Sequence, residues 1–128
     1  MRGEIGTGRA VVAANGPGAE FVIRGSCMDC FEDGERISLS VRRFLLPGDP
    51  VVVRRANHFS AHRFLGYAVG RHGLVVLTQA DHDTFPDPAA PVEAVIGVAE
   101  VHVALQTRLE SLRRFARAIA RRLARGRR

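Results

Sequence analysis

Seven short runs rich in branched apolar residues, separated by turn residues, restrict most of this chain to β structure. The runs cover positions 10–14, 20–24, 36–41, 51–55, 64–69, 74–77 and 92–103. Between them lie Asn15-Gly16-Pro17-Gly18, Asp33-Gly34, Pro47-Gly48-Asp49-Pro50, Arg71-His72-Gly73 and Pro86-Asp87-Pro88. This spacing predicts a mainly β body, a small, partly open antiparallel barrel or sheet. After position 103 the period changes. Leu105, Leu109, Leu112, Phe115, Ala116, Ile119 and Leu123 recur at helical intervals, with Arg113, Arg114, Arg117, Arg121 and Arg122 between them. They predict one basic amphipathic helix over 104–125. The organisation is therefore a β-rich domain at 1–103 and a helix with its tail at 104–128. At 128 residues such a chain can bury a core without disulfides or metals.

Charge divides along the same line. The chain carries a net charge of +6, and the nine arginines and single glutamate after position 107 account for +8, leaving −2 on the rest. All 19 basic residues are arginine. A lysine general base is thereby excluded, so a base must be histidine or a carboxylate. No apolar run reaches the roughly 18 residues of a transmembrane helix, and the first residues lack the apolar core of a signal peptide. The expectation is a cytoplasmic protein, with reduced cysteines, that can lie peripherally at the inner membrane face.

The stretch with most chemistry runs from Phe21 to Cys30. An apolar strand, Phe21-Val22-Ile23, meets Gly25, and Ser26, Cys27 and Met28 follow. A nucleophile after a strand and a glycine is how several hydrolases expose a reactive atom at a bend. Cys27 and Cys30 also form a C-x-x-C pair, a redox spacing in a thioredoxin-like setting, but no βαβ pattern follows. Two cysteines are too few for a structural zinc site unless histidine joins. No cofactor and no metal is expected. A disulfide between the two would switch a Cys27 nucleophile off.

These residues, with others downstream, resemble a family. Gly25-Ser26-Cys27-Met28-Asp29-Cys30 is similar to the G-x-S-M-x-P box of type I signal peptidases and LexA-type self-cleaving peptidases. Cys27 stands where that family has serine, and Cys30 where it often has proline. Asp33-Gly34-Glu35-Arg36-Ile37, Pro47-Gly48-Asp49-Pro50-Val51-Val52-Val53, His62-Arg63-Phe64, the segment from Leu77 to Asp83, and Ile96-Gly97-Val98 resemble its later motifs, in order. The likeness covers roughly positions 20–103. It implies the family's β fold and, in the branch that uses histidine as base, an endopeptidase acting through an acyl-enzyme. Cys27 would be the nucleophile and His62 the base. An acid would orient the imidazole, with Asp81 the first choice, then Asp87 and Asp83.

A thiol suits such a pair, because a neighbouring imidazolium lowers its pKa from about 8.5. The Cys27 backbone N–H would stabilise the oxyanion. Gly25, Ser26 and Met28 would line the substrate, and Phe21 and Ile23 would offer a strand edge to an extended peptide. Each residue has an ordinary alternative: a cysteine as a small buried hydrophobe, a histidine bonded to a carbonyl, loop acids in solvent. With the serine replaced and no lysine, the runner-up is an inactive relative that binds a peptide or protein without cutting it. The helix fits an anionic membrane surface, packing on the β body, or nucleic-acid phosphates. The mildly acidic body and the lack of interleaved basic and aromatic residues disfavour nucleic acid.

Overall fold

The computed structural model describes residues 9–12, 20–24, 31–32, 34–41 and 44–126. Eight strands are found among them. In chain order they are β1 (Arg9–Val12), β2 (Glu20–Arg24), β3 (Arg36–Ser40), β4 (Pro50–Arg54), β5 (Phe59–Gly70), β6 (Gly73–Gln79), β7 (Ala90–Pro91) and β8 (Val95–Ala99). They make one antiparallel sheet in the order β1-β2-β3-β8-β4-β5-β6-β7, followed by a single C-terminal helix, α1 (Leu105–Gly126). β1 also pairs with β5 over two residues, Arg9 with Ser60 and Ala10 with Phe59. The sheet thus curls until its first strand meets its sixth, β5.

β5 organises the core. Strand geometry sends successive side chains to opposite faces. Phe64 packs with Val51, Val53, Val76 and Val98 on one side. Ala61 packs with Phe31, Ile37, Val52 and Ala99 on the other. The register shifts between Phe64 and Gly66, so Leu65 is an extra residue. Leu65 joins Leu77 and Ala118 in a third cluster, under the helix. Each of these large apolar side chains, once fully buried, contributes about 1.5–3 kcal/mol.

Gly66 is required by this docking. A Cβ there would lie 2.5 Å from the Phe115 ring, so any side chain would push the helix away. Gly48 has a different reason. Its φ of 99° lies in the left-handed region, which glycine alone adopts at little cost. The turn it makes returns its N–H to the Phe64 carbonyl at 2.7 Å.

Several elements depart from the expected limits. β5 starts five residues before the apolar run at 64–69 and so includes His62. The run at 92–103 is not one strand. Val92–Ala94 form a 3-10 turn directly after Pro91, β8 ends at Ala99, and the residues from Val101 to Ala104 are irregular. The helix lies within one residue of its expected limits, but its docked face is rotated. Ser111 and Ala118 are buried, while Leu105, Leu109, Leu112 and Leu123 remain exposed. Three arginines help to dock it. Arg108 reaches the Pro47 carbonyl and Asp49, Arg114 the Ala80 and Asp81 carbonyls, and Arg122 the Val69 carbonyl.

Candidate functional site

His62 and Arg63 are consecutive on β5 and point to opposite faces. Each meets an aspartate from the loop that follows β6. His62 lies opposite Val51 of β4, on the Phe64 side of the strand. Its Nδ1 is 2.6 Å from Asp87 Oδ2. The side chains are 15% and 14% exposed, so the pair is shielded but reachable. An ionised carboxylate only accepts hydrogen bonds, so Nδ1 carries the hydrogen and Nε2 is the nitrogen able to take up a proton.

Asp87 is fixed by several groups. Its N–H donates to the Thr78 carbonyl at 2.8 Å. The Thr78 hydroxyl donates to Oδ2 at 2.7 Å. Thr78 is opposite Phe64 across the β5–β6 ladder, which places it on the His62 face. Arg55, just beyond β4, lies along the group. Its Nη2 donates to Thr78 Oγ1 at 3.3 Å, its Nη1 to the Pro88 carbonyl at 2.8 Å and its Nε to Ser60 Oγ at 3.4 Å. The guanidinium is 3.9 Å from Asp87 Oδ2. An imidazole held by an acid that is itself held by donors is the arrangement that fixes tautomer and ring orientation in acid–base sites.

Asp81 does not meet His62. Its carboxylate receives two parallel bonds from Arg63, Nε to Oδ1 at 2.7 Å and Nη2 to Oδ2 at 2.8 Å. The third guanidinium nitrogen, Nη1, donates to the Gly48 carbonyl at 2.7 Å. The two side chains are 7% and 11% exposed. The expectation that Asp81 orients the imidazole is corrected. Residue 81 lies on the Arg63 face, and six residues later the loop returns along β6 and brings Asp87 to the other face. Asp83 is engaged through its backbone, accepting from Gln79 Nε2 at 2.6 Å.

The edge expected at Phe21 is also corrected. Phe21 and Val22 are paired on both sides, with β1 and β3, and Ile23 is paired with Ala10 of β1. β2 is an interior strand, and its Phe21 edge is not open to a peptide. Gly25, Ser26, Cys27, Met28 and Cys30 lie outside the described residues.

Register places the last described residue before that segment, Arg24. Arg9 of β1 is opposite Arg24 on one side and Ser60 on the other. The last residue of β2 is therefore two strand spacings, about 10 Å, from Ser60. β2 and β5 both run antiparallel to β1, so both advance in the same direction. The chain leaves Arg24 at the end of the sheet where Ser60 leads on to His62.

Two residues of the site, Arg55 and Thr78, were not singled out in the sequence. Thr78 stands next to a predicted strand end, and Arg55 offered no signal. An open cleft of about 640 Å³ borders Asp87, with Leu77, Phe85, Ala118 and Arg121 among its lining residues. Among the described residues no group of three His, Cys, Asp or Glu side chains is placed to hold a metal ion, and no helix is long and apolar enough to cross a membrane. Compared with known proteins, the chain matches no family model, and no curated protein or solved structure matches it significantly. Its class is that of a mainly β protein with one antiparallel sheet and a C-terminal helix.

Proposed function

We propose that the protein is a signal-peptidase-like endopeptidase in which Cys27 is the nucleophile, His62 the base and Asp87 the orienting acid. The observation that carries the reading is the 2.6 Å His62–Asp87 contact, buttressed by Thr78. The register adds support. Cys27 is three positions after Arg24, a reach of about 10 Å, and Arg24 lies two strand spacings from Ser60, which leads on to His62. The order of motifs that resemble the signal peptidase and LexA-type family points the same way.

The steps follow from the donor arrangement. His62 Nε2 takes the Cys27 thiol proton, and the thiolate adds to a peptide carbonyl carbon. The oxyanion is held by the Cys27 N–H. The imidazolium gives its proton to the departing amine, the C–N bond breaks and a thioester remains. Water, deprotonated by His62, then releases the acid and restores the thiol. Asp87 stabilises each imidazolium.

The test is incubation of the chain carrying Cys30→Ser with a mixed peptide library, read by mass spectrometry. Cleavage is expected, and Cys27→Ala and His62→Ala should each abolish it. Peptides captured intact by both the parent and Cys27→Ala would replace the reading with a binding module. Cleavage that survives Cys27→Ala would overturn it outright.

A further inference from the structure

The helix leaves one apolar face uncovered. Leu105, Leu109, Leu112, Ala116, Ile119 and Leu123 follow one another at alternating steps of four and three residues, which keeps them in a single stripe at about 100° per residue. The docked face is a different one, carried by Ser111, Phe115 and Ala118. Of the stripe, only Ile119 packs against the third core cluster. Leu105 is 73% exposed and Leu123 62%. The stripe continues off the helix, because Leu123 shares a cleft with Val69, which is 81% exposed near the tip of the β5–β6 hairpin.

Arginines divide by the same faces. Arg108, Arg114 and Arg122 are bonded to the β body. Arg113 and Arg117 stand exposed beside the leucines, whereas Arg121 lies over the Phe85 ring at 4.8 Å. Glu110 is the one acid in the helix, and it is within 3.5 Å of Arg113 and 3.7 Å of Arg114. The free face is therefore an apolar stripe flanked on one side by Arg113 and Arg117.

We propose that this face docks the protein on an anionic lipid bilayer surface, with the leucines among the acyl chains and the arginines at the phosphates. An apolar stripe beside a cationic one is the pattern of helices that lie in the membrane plane. A second copy fits poorly. Arg113 and Arg117 border the seam, so self-pairing along it brings like charges to its edge. A single partner helix would also leave Val69 uncovered, whereas a planar surface takes both. Nucleic acid would use the arginines and leave the leucines in water. The inference is independent of the peptidase reading.

Flotation of the whole chain with vesicles tests it, using phosphatidylcholine alone and phosphatidylcholine mixed with phosphatidylglycerol. Binding is expected only with the mixture. The double change Leu109→Ser, Leu112→Ser should weaken it about tenfold or more. Arg113→Gln and Arg117→Gln should each weaken it about fivefold, and added salt should weaken it further. These residues face solvent, so circular dichroism and thermal midpoint should stay as in the parent chain. No binding to the mixture would overturn the proposal. So would binding indifferent to the leucine changes, which a single-stranded oligonucleotide would compete away. A dimer in sedimentation that the leucine changes dissolve would assign the face to a second copy instead.

Discussion

Two aspartates six residues apart in one loop meet two adjacent residues of β5, and the pairs that result differ in kind. Arg63–Asp81 satisfies all three guanidinium nitrogens, two by Asp81 and one by Gly48. Arg114 then bonds the Asp81 carbonyl from the helix. The assembly ties strand, turn, loop and helix at one point. His62–Asp87 is a single contact to one carboxylate oxygen, which Thr78 also engages. The groups that flank it, Thr78 and Arg55, belong to the sheet and the residue after β4, not to the helix. Proximity of a histidine and an acid in sequence therefore says little. The alternation of one strand decides which acid anchors the fold and which tunes a side chain.

The largest effect that would sharpen the contrast is on stability. Asp81→Ala leaves the buried Arg63 guanidinium without its carboxylate, which costs about 3–5 kcal/mol. Asp87→Asn keeps the shape and retains an oxygen for Thr78, so its cost should be well below that. Urea denaturation midpoints check the order. An equal loss in the two variants would mean that Asp87 anchors the fold as firmly as Asp81 does.

A second effect reads chemistry rather than stability. In the Cys30→Ser background, Cys27 alkylation near neutral pH should slow about tenfold in His62→Ala, as the thiol returns from an imidazole-paired state to an ordinary pKa of about 8.5. Asp87→Asn should slow it in the same direction. Asp81→Asn, assayed in buffer where it remains folded, should leave the rate unchanged. The comparison breaks if Asp81→Asn slows alkylation as much as Asp87→Asn does.

Much of the architecture was legible because apolar runs and turn residues are local signals. β2, β6 and α1 lie close to where the sequence puts them. The start of β5 was hidden. Ser60, Ala61, His62 and Arg63 break the apolar pattern, and they are a strand because β4 pairs with them along its whole length. His62 was legible as a candidate from the motif around it. Its acid was not, because Asp81, Asp83 and Asp87 look alike in a sequence. What separates them is the path of the loop, set by the bond from Asp87 N–H to the Thr78 carbonyl and by the grip of Arg63 on Asp81. The β2 edge was misread for a similar reason: a strand does not announce its neighbours.

The smallest expected effect separates the faces of β6 as the first separates those of β5. Thr78 and Gln79 are adjacent, and each steadies the loop on its own side, Thr78 at Asp87 and Gln79 at the Asp83 carbonyl. Thr78→Val keeps the volume and removes one hydrogen bond from a carboxylate that still has His62 and Arg55 beside it. The loss should be about 1 kcal/mol, and Gln79→Leu should cost about the same. Only Thr78→Val should also slow Cys27 alkylation, by a few-fold, because only that change loosens the acid that orients His62. Thr78→Ser, which restores the hydroxyl, should recover most of the rate. If Thr78→Ser alkylates no faster than Thr78→Val, the hydroxyl does not position Asp87, and the two faces of the sheet differ in structure alone.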